Sequence, residues 1–165
     1  MNTMTKRIVL LWVMVACISS FLRSQDFVGR FMKHRTSDSN LECISISPKM
    51  IEEVLDVKAD ANNDLLDVIS ELKSVQILSA NVEGKSYYRE AENLLIENAG
   101  RFESFASYKG GDMNSQILVR RWGNKIVELV MLVNEGDEFS VINFTGDMND
   151  EFITRISKSA WTNHH

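Results

Sequence analysis

The chain has 165 residues, 44% of them hydrophobic, with 18 Lys and Arg against 23 Asp and Glu for a formal net charge of −5. That length suits one domain around one core. The acidic balance disfavours a phosphate backbone as partner, so no nucleic-acid role is expected.

The amino terminus is read first, because it is set apart from the fold. Lys6 and Arg7 precede an apolar run, Ile8 to Ile18, and a partly polar stretch ends at Ser24. A basic start, an apolar run of this length and a small residue before a polar segment describe a signal peptide over residues 1–24. The run is too short to span a bilayer, which takes about 20 apolar residues. Met14-Val15-Ala16-Cys17 is also similar to a lipobox, which makes Cys17 a candidate lipidation site, although Met stands where Leu is usual. Soluble export is favoured over lipidation because Ser24 is a good small-residue cleavage position. Removal of residues 1–24 takes away Lys6, Arg7 and Arg23, leaving 15 basic residues against 23 acidic ones, a balance of −8. Cys43 is then the only cysteine, no internal disulfide can form, and stability must come from packing. Within the alternating run Leu41 to Ile46, Cys43 reads as a small buried hydrophobe.

From residue 25 to 165 a single domain is expected. Phe27, Val28, Phe31 and Met32 form one stripe of a short helix. A polar loop, Thr36 to Asn40, leads to the strand Leu41–Ile46. Ser47-Pro48 is a helix start, since Ser accepts bonds from the first free amides and Pro suits the first helical position. Met50, Ile51, Val54 and Leu55 mark its buried side. A second short helix carries Leu65, Leu66, Ile69 and Leu72, and Val75 to Ala80 reads as a strand. Ser86 is expected to cap a helix over Tyr87 to Asn98, with a left-handed stop at Gly100. Phe102 to Tyr108 alternates as a strand. A last helix, capped by Asp147, is expected to run to about Ser157 with Phe152, Ile153 and Ile156 inward.

Ser115 to Asp147 carries three apolar, β-branched-rich runs separated by Gly123-Asn124 and Gly136-Asp137, the punctuation of a meander. Two-residue turns would pair Trp122 with Lys125, Arg120 with Val127 and Leu118 with Leu129. In the second hairpin they would pair Val133 with Ser140, Met131 with Ile142 and Leu129 with Phe144, and set Glu135 against Glu138. One face then collects Leu118, Val127, Leu129, Met131, Val133, Ile142 and Phe144 as the core. The other collects Ile117, Val119, Ile126, Val130, Leu132, Phe139 and Val141, broken by Arg121, Glu128 and Asn143. That semi-apolar face needs a cover, from the chain's own helices or from a partner, and is the candidate interaction face.

No catalytic set stands out. His34, His164 and His165 are not in ligand spacing, so no metal site is expected. Gly110-Gly111 lacks the Lys and hydroxyl residue of a phosphate loop, and no nucleophile–His–Asp arrangement appears. No cofactor and no enzymatic activity are expected. An enzyme would require groups such as Asp112, Arg121, Glu128 and Asp147 to meet in one cleft.

The Ser24-Gln25-Asp26 junction, the Phe-rich first helix, ECISISPKMIEEVL at Glu42 to Leu55, LKSVQILSA at Leu72 to Ala80, YYREAENLL, ILVRRWGNKIVELVMLV and FTGD together resemble the domain of unknown function 4252 family of small exported bacterial envelope proteins. The resemblance covers nearly all of residues 25–165. It implies an envelope location, as a periplasmic protein or a lipoprotein, and supplies no functional residues to carry over.

The fold expected is α+β in two layers. It is an antiparallel four-strand meander over residues 102–145, extended by two further strands that join through helical crossovers, with helices mainly on one face. The expected function is a non-enzymatic envelope module, periplasmic or outer-membrane-associated, that binds another protein or its own copy through the semi-apolar face. A membrane contact is expected only through a lipid anchor. The alternative is a small-ligand or lipid-binding domain with a pocket lined by the Tyr87-Tyr88 helix and the Met-bearing sheet face.

Overall fold

Three two-residue loops, Gly111-Asp112, Gly123-Asn124 and Gly136-Asp137, build the largest part of the molecule. Their glycines take φ of +57°, +61° and +59°, and no other residue of these loops has positive φ. Glycine in first place matches the right-handed twist of the flanking strands, so each loop folds its two strands back as a tight hairpin. The description comes from a computed structural model and covers residues 26–33, 35–47, 49–50 and 71–154. The amino-terminal segment with Cys17, the apolar stripes at 51–55 and 65–69, His34 and the tail from residue 155 lie outside the described residues.

The elements are α1 (Phe27–Met32), β1 (Glu42–Ile46), β2 (Leu72–Ala80), α2 (Gly84–Glu97), β3 (Glu103–Gly110), β4 (Met113–Trp122), β5 (Lys125–Glu135) and β6 (Glu138–Met148). A last helix, α3, occupies 150–154. The strands make one six-stranded sheet in the order β1-β2-β6-β5-β4-β3, and every neighbouring pair is antiparallel. The α+β class and the meander over β3–β6 agree with expectation. The two extra strands lie together on the β6 side. Helix α2 carries the chain from β2 across the sheet to the far edge at β3. The step from β1 to β2 is not a crossover within the sheet order, because these strands are adjacent and antiparallel.

Each face has its own apolar cluster. Helices α1 and α2 cover the first face, where Phe27, Val28, Phe31, Tyr87, Ala91 and Leu95 meet Leu78, Val130, Leu132, Phe139 and Val141. On the second face, Phe152 and Ile153 of α3 join Leu72, Val75, Ile117, Val119, Leu129 and Met131. Helices therefore occupy both faces, with α1 and α2 together on one.

Local starts and stops differ from the expected ones in instructive ways. Asp26 caps α1 by accepting from the Gly29 amide at 2.7 Å. Helix α2 begins before Ser86, at Gly84, after Glu83 in a left-handed conformation with φ 56° and no side-chain cap. The Gly84 amide instead donates to the Asp137 carbonyl at 2.9 Å, so the β5–β6 turn sets where the helix begins. The end of α2 is closed by Asn98, whose Nδ2 donates to the Leu94 carbonyl at 2.7 Å, and not by a left-handed Gly100. Asn149 caps α3 through the Phe152 amide at 2.8 Å, whereas Asp147 is still in β6 and pairs with Lys125. Leu72 opens β2 instead of closing a helix. Ser47 meets expectation, its Oγ accepting from the Met50 amide at 3.3 Å.

Candidate functional site

The candidate interaction face is corrected by one extra residue. The β5–β6 register is the expected one, with Leu129 against Phe144, Met131 against Ile142, Val133 against Ser140 and Glu135 against Glu138. Trp122 against Lys125 also holds, but the β4–β5 ladder then shifts between Arg120 and Arg121, pairing Arg120 with Glu128 and Leu118 with Val130. Val127 is the unpaired residue of this bulge. Side chains alternate faces with a period of two, so one inserted residue exchanges the two sides of β4. Val130, Leu132, Phe139 and Val141 lie under α1 and α2, while Ile117, Val119 and Ile126 belong to the cluster on the opposite face. None of the seven is more than 2% exposed. They do not form one surface, and four of them are covered by the chain's own helices.

The polar residues that broke that face have a structural task. Glu128 is fully buried beside Arg120, whose Nε donates to Glu128 Oε2 at 2.8 Å. Glu128 Oε1 accepts from the Phe27 amide at 2.6 Å and from Asn143 Nδ2 at 3.2 Å. Asn143 Oδ1 accepts from the Val28 amide at 3.4 Å. The free amides at the start of α1 are thus satisfied by the sheet, and the buried carboxylate is paired and bonded, the condition for keeping a charge inside.

Asp112, Arg121, Glu128 and Asp147 do not all meet in one place. Glu128 is held by Arg120 under α1. Arg121 pairs with Glu103 and Asp150 and Asp147 with Lys125, all at the β4–β5 turn end. Asp112 sits in the β3–β4 turn at the other end of the sheet. Among the described residues no group of His, Cys, Asp and Glu is arranged to hold a metal ion. Cys43 is exposed on edge strand β1, not buried. Its thiol is nonetheless pushed up from its ordinary value of 9.0, first by desolvation and then by the negative charge of Asp26.

What the fold does bring together is a polar groove of about 380 Å³ on the α2 side of the sheet. Its wall is α2, through Lys85, Tyr88 and Glu92, and its floor is β3 and β4, through Ser107, Lys109, Asn114 and Gln116. It forms because α2 packs on β5 and β6 and leaves the β3–β4 margin of the same face uncovered. Gln116 Nε2 donates to Glu92, tying floor to wall. The Tyr88 hydroxyl is raised above its ordinary value by burial first and by the Glu92 charge second. Asn134, at the groove's end, spends its Nδ2 on the carbonyls of Gly136 and Glu138 at 3.1 and 2.7 Å.

One side of this groove is β3, the outermost strand on its side of the sheet. A bulge between Ser104 and Ala106 interrupts its ladder with β4, and from Ala106 to Gly110 the pairing is regular. The sequence marked Tyr88 as a candidate pocket residue, and the structure places it here. Met131 lies on the opposite face, so the expected pocket between tyrosines and methionines is not formed. The groove was not legible as a unit, because its floor residues come from strands whose faces the Val127 bulge had exchanged.

A family profile described as Domain of unknown function (DUF4252) matches residues 34–156. No curated protein matches the chain. The chain belongs to the domain of unknown function 4252 family.

Proposed function

We propose that this member of the 4252 family is a non-enzymatic module of the cell envelope that binds another protein along the edge of β3. The observation that carries the reading is the regular edge segment Ala106–Gly110 beside a groove walled by α2. An outer strand offers a row of main-chain donors and acceptors that an extended peptide can pair with, and a neighbouring groove receives alternate side chains of that peptide. The bulge at Ser104–Ala106 and the charge of Lys109 limit indiscriminate edge pairing, as expected of a strand that accepts a chosen partner. Lys85 and Lys109 give the groove two cations against Glu92, in a chain whose overall charge is negative. The favoured peptide is therefore acidic.

A panel of extended acidic and basic peptides, with binding read by fluorescence anisotropy, tests this. Acidic peptides should bind, and proline at whichever of Ser107 and Tyr108 points its N–H away from β4 should abolish binding while far-ultraviolet circular dichroism stays unchanged. Proline at Cys43, on the other edge, should leave binding intact. Binding that survives this β3 proline, or no binding by any peptide, would sink the reading.

The alternative, a small-ligand or lipid-binding domain, has the same groove in its favour. The polar lining fits a small polar ligand better than a lipid tail. Native mass spectrometry of the protein purified from its own cells distinguishes the two, a retained small molecule favouring the alternative.

A further inference from the structure

The charges of the polar groove are ordered along its length. The Gly84 amide donates to the Asp137 carbonyl at 2.9 Å and the Gly136 amide to the Asp112 carbonyl at 3.3 Å. These bonds tie the start of α2 to the β5–β6 and β3–β4 turns, so Lys85 and Lys109 both stand at the turn end of the groove. About 10 Å further along α2, Glu92 accepts from Gln116. Gln116 pairs with Ser107 in the β3–β4 ladder, whereas Lys109 pairs with Asn114, nearer the turn. One end of the groove is therefore cationic and the other anionic. Among the described residues Lys85 and Lys109 have no carboxylate paired with them, and Glu92 has no cation.

Successive residues of β3 point to opposite faces of the sheet. Ser107 and Lys109 lie on the groove side with Gln116 and Asn114. Ala106 packs with the apolar cluster of the opposite face, so Tyr108 stands on that face, where it is 43% exposed. A strand laid against Ala106–Gly110 meets Lys109, Tyr108 and Ser107 at three successive positions on alternating faces. Its residue beside Lys109 lies at the cationic end. Its residue beside Ser107 can extend a long side chain over that small residue toward Glu92. The residue between them meets the Tyr108 ring.

We propose that the partner strand carries an acid, an aromatic residue and a base at these three positions, and that it runs antiparallel to β3, so that the acid comes first. The proposal rests on the β3-edge reading under Proposed function and sharpens the acidic peptide named there by fixing where its acid sits. The direction continues a sheet in which every pair is antiparallel, the slightly more stable ladder. Opposite charges side by side across strands attract and like charges repel. An antiparallel strand with acid and base exchanged would set a base at Lys109 and an acid toward Glu92.

The test uses the full chain and two labelled, capped peptides of one composition, Glu-Thr-Glu-Phe-Lys-Thr-Thr and the same residues in reverse order, with binding read by fluorescence anisotropy. The first should bind about tenfold tighter, the size expected when a few exposed charge pairs turn from attractive to repulsive. The difference should shrink as salt is raised. Lys109→Gln and Glu92→Gln should each narrow it and together remove it while the circular dichroism spectrum stays unchanged, since Gln at 92 keeps an acceptor for Gln116. Replacing the peptide's Phe with Ala should weaken binding to the wild type and have little effect on binding to Tyr108→Ala. Equal binding of the two peptides, lost with the β3 proline, overturns the ordered motif and leaves the β3 edge standing. A preference that survives in the double variant Lys109→Gln/Glu92→Gln also overturns it. No binding of either peptide, or binding indifferent to the β3 proline, removes both.

Discussion

The backbone amide of Phe27 donates to Glu128 Oε1 at 2.6 Å, across 101 positions of sequence. This bond ties the first helix to the middle of the sheet and gives a buried carboxylate its second partner after Arg120. Replacing Glu128 with Ala strands Arg120 and leaves the first amide of α1 without its acceptor. The loss of one partner of a buried pair costs about 3–5 kcal/mol. Glu128→Gln keeps an acceptor for Phe27 and should cost less. Urea unfolding gives the size, and hydrogen exchange should show lost protection at Phe27 and Val28 in Glu128→Ala before global unfolding.

Helix α2 starts against the β5–β6 turn through a glycine with no room for a side chain. A Cβ on Gly84 would lie 2.5 Å from the Asp137 carbonyl oxygen, whereas one on Gly100 would meet nothing within 4 Å. Gly84→Ala should destabilise the protein by about 1–3 kcal/mol, the usual cost of overpacking. Gly100→Ala should be close to neutral. Paired denaturation curves check both, and equal midpoints for the two variants would contradict the docking of α2 on this turn.

Glu135 and Glu138 stand directly opposite each other across the β5–β6 turn. Like charges in that arrangement are unfavourable, and Glu138→Lys converts the pair to an attractive one. A gain of about 0.2–1 kcal/mol is expected. Both residues are exposed, so the gain should shrink as salt is raised. Thermal unfolding at low and high ionic strength measures it.

Cys43 is exposed on β1, yet its thiol is held above its ordinary value of 9.0 by desolvation and by Asp26. The thiolate is the reactive form. In a Cys17→Ser background, alkylation by iodoacetamide at pH 8 should be slower for the folded chain than for the chain in urea. Asp26→Asn should raise the folded rate. Because folding raises this pKa, the thiol's contribution to stability is fully present below the unfolded value and is lost as pH rises through the folded one.

Much of the scaffold was legible in the residues themselves. Gly-Asn and Gly-Asp pairs between alternating runs located two hairpins, and the turn distance alone set the register of Leu129, Met131 and Val133 against β6. The stripe of α1 named Phe27, Val28 and Phe31, which are buried, and Met32, which is partly buried against the same cluster. The groove was not legible. Its lining comes from α2, β3, β4 and the end of β5, and only the sheet order and the bulge at Val127 bring those side chains to one place. Nor was Glu128 recognisable as a buried anchor, because a charge inside an apolar run reads as a break in the pattern until its partner is seen.

The sequence by itself determined the class of fold, the hairpins and the apolar sides of the helices, because turn geometry and side-chain periodicity are local. Only the tertiary structure decided which side of β4 faces α2. That choice depends on one unpaired residue, Val127, and on long-range pairing of Arg120 with Glu128. In a strand, one residue is half a period, so a single bulge moved Ile117 and Val119 to one side of the sheet and Leu118 to the other. It divided the expected semi-apolar face between two clusters on opposite sides of the sheet, and left Gln116 and Asn114 to floor a polar groove.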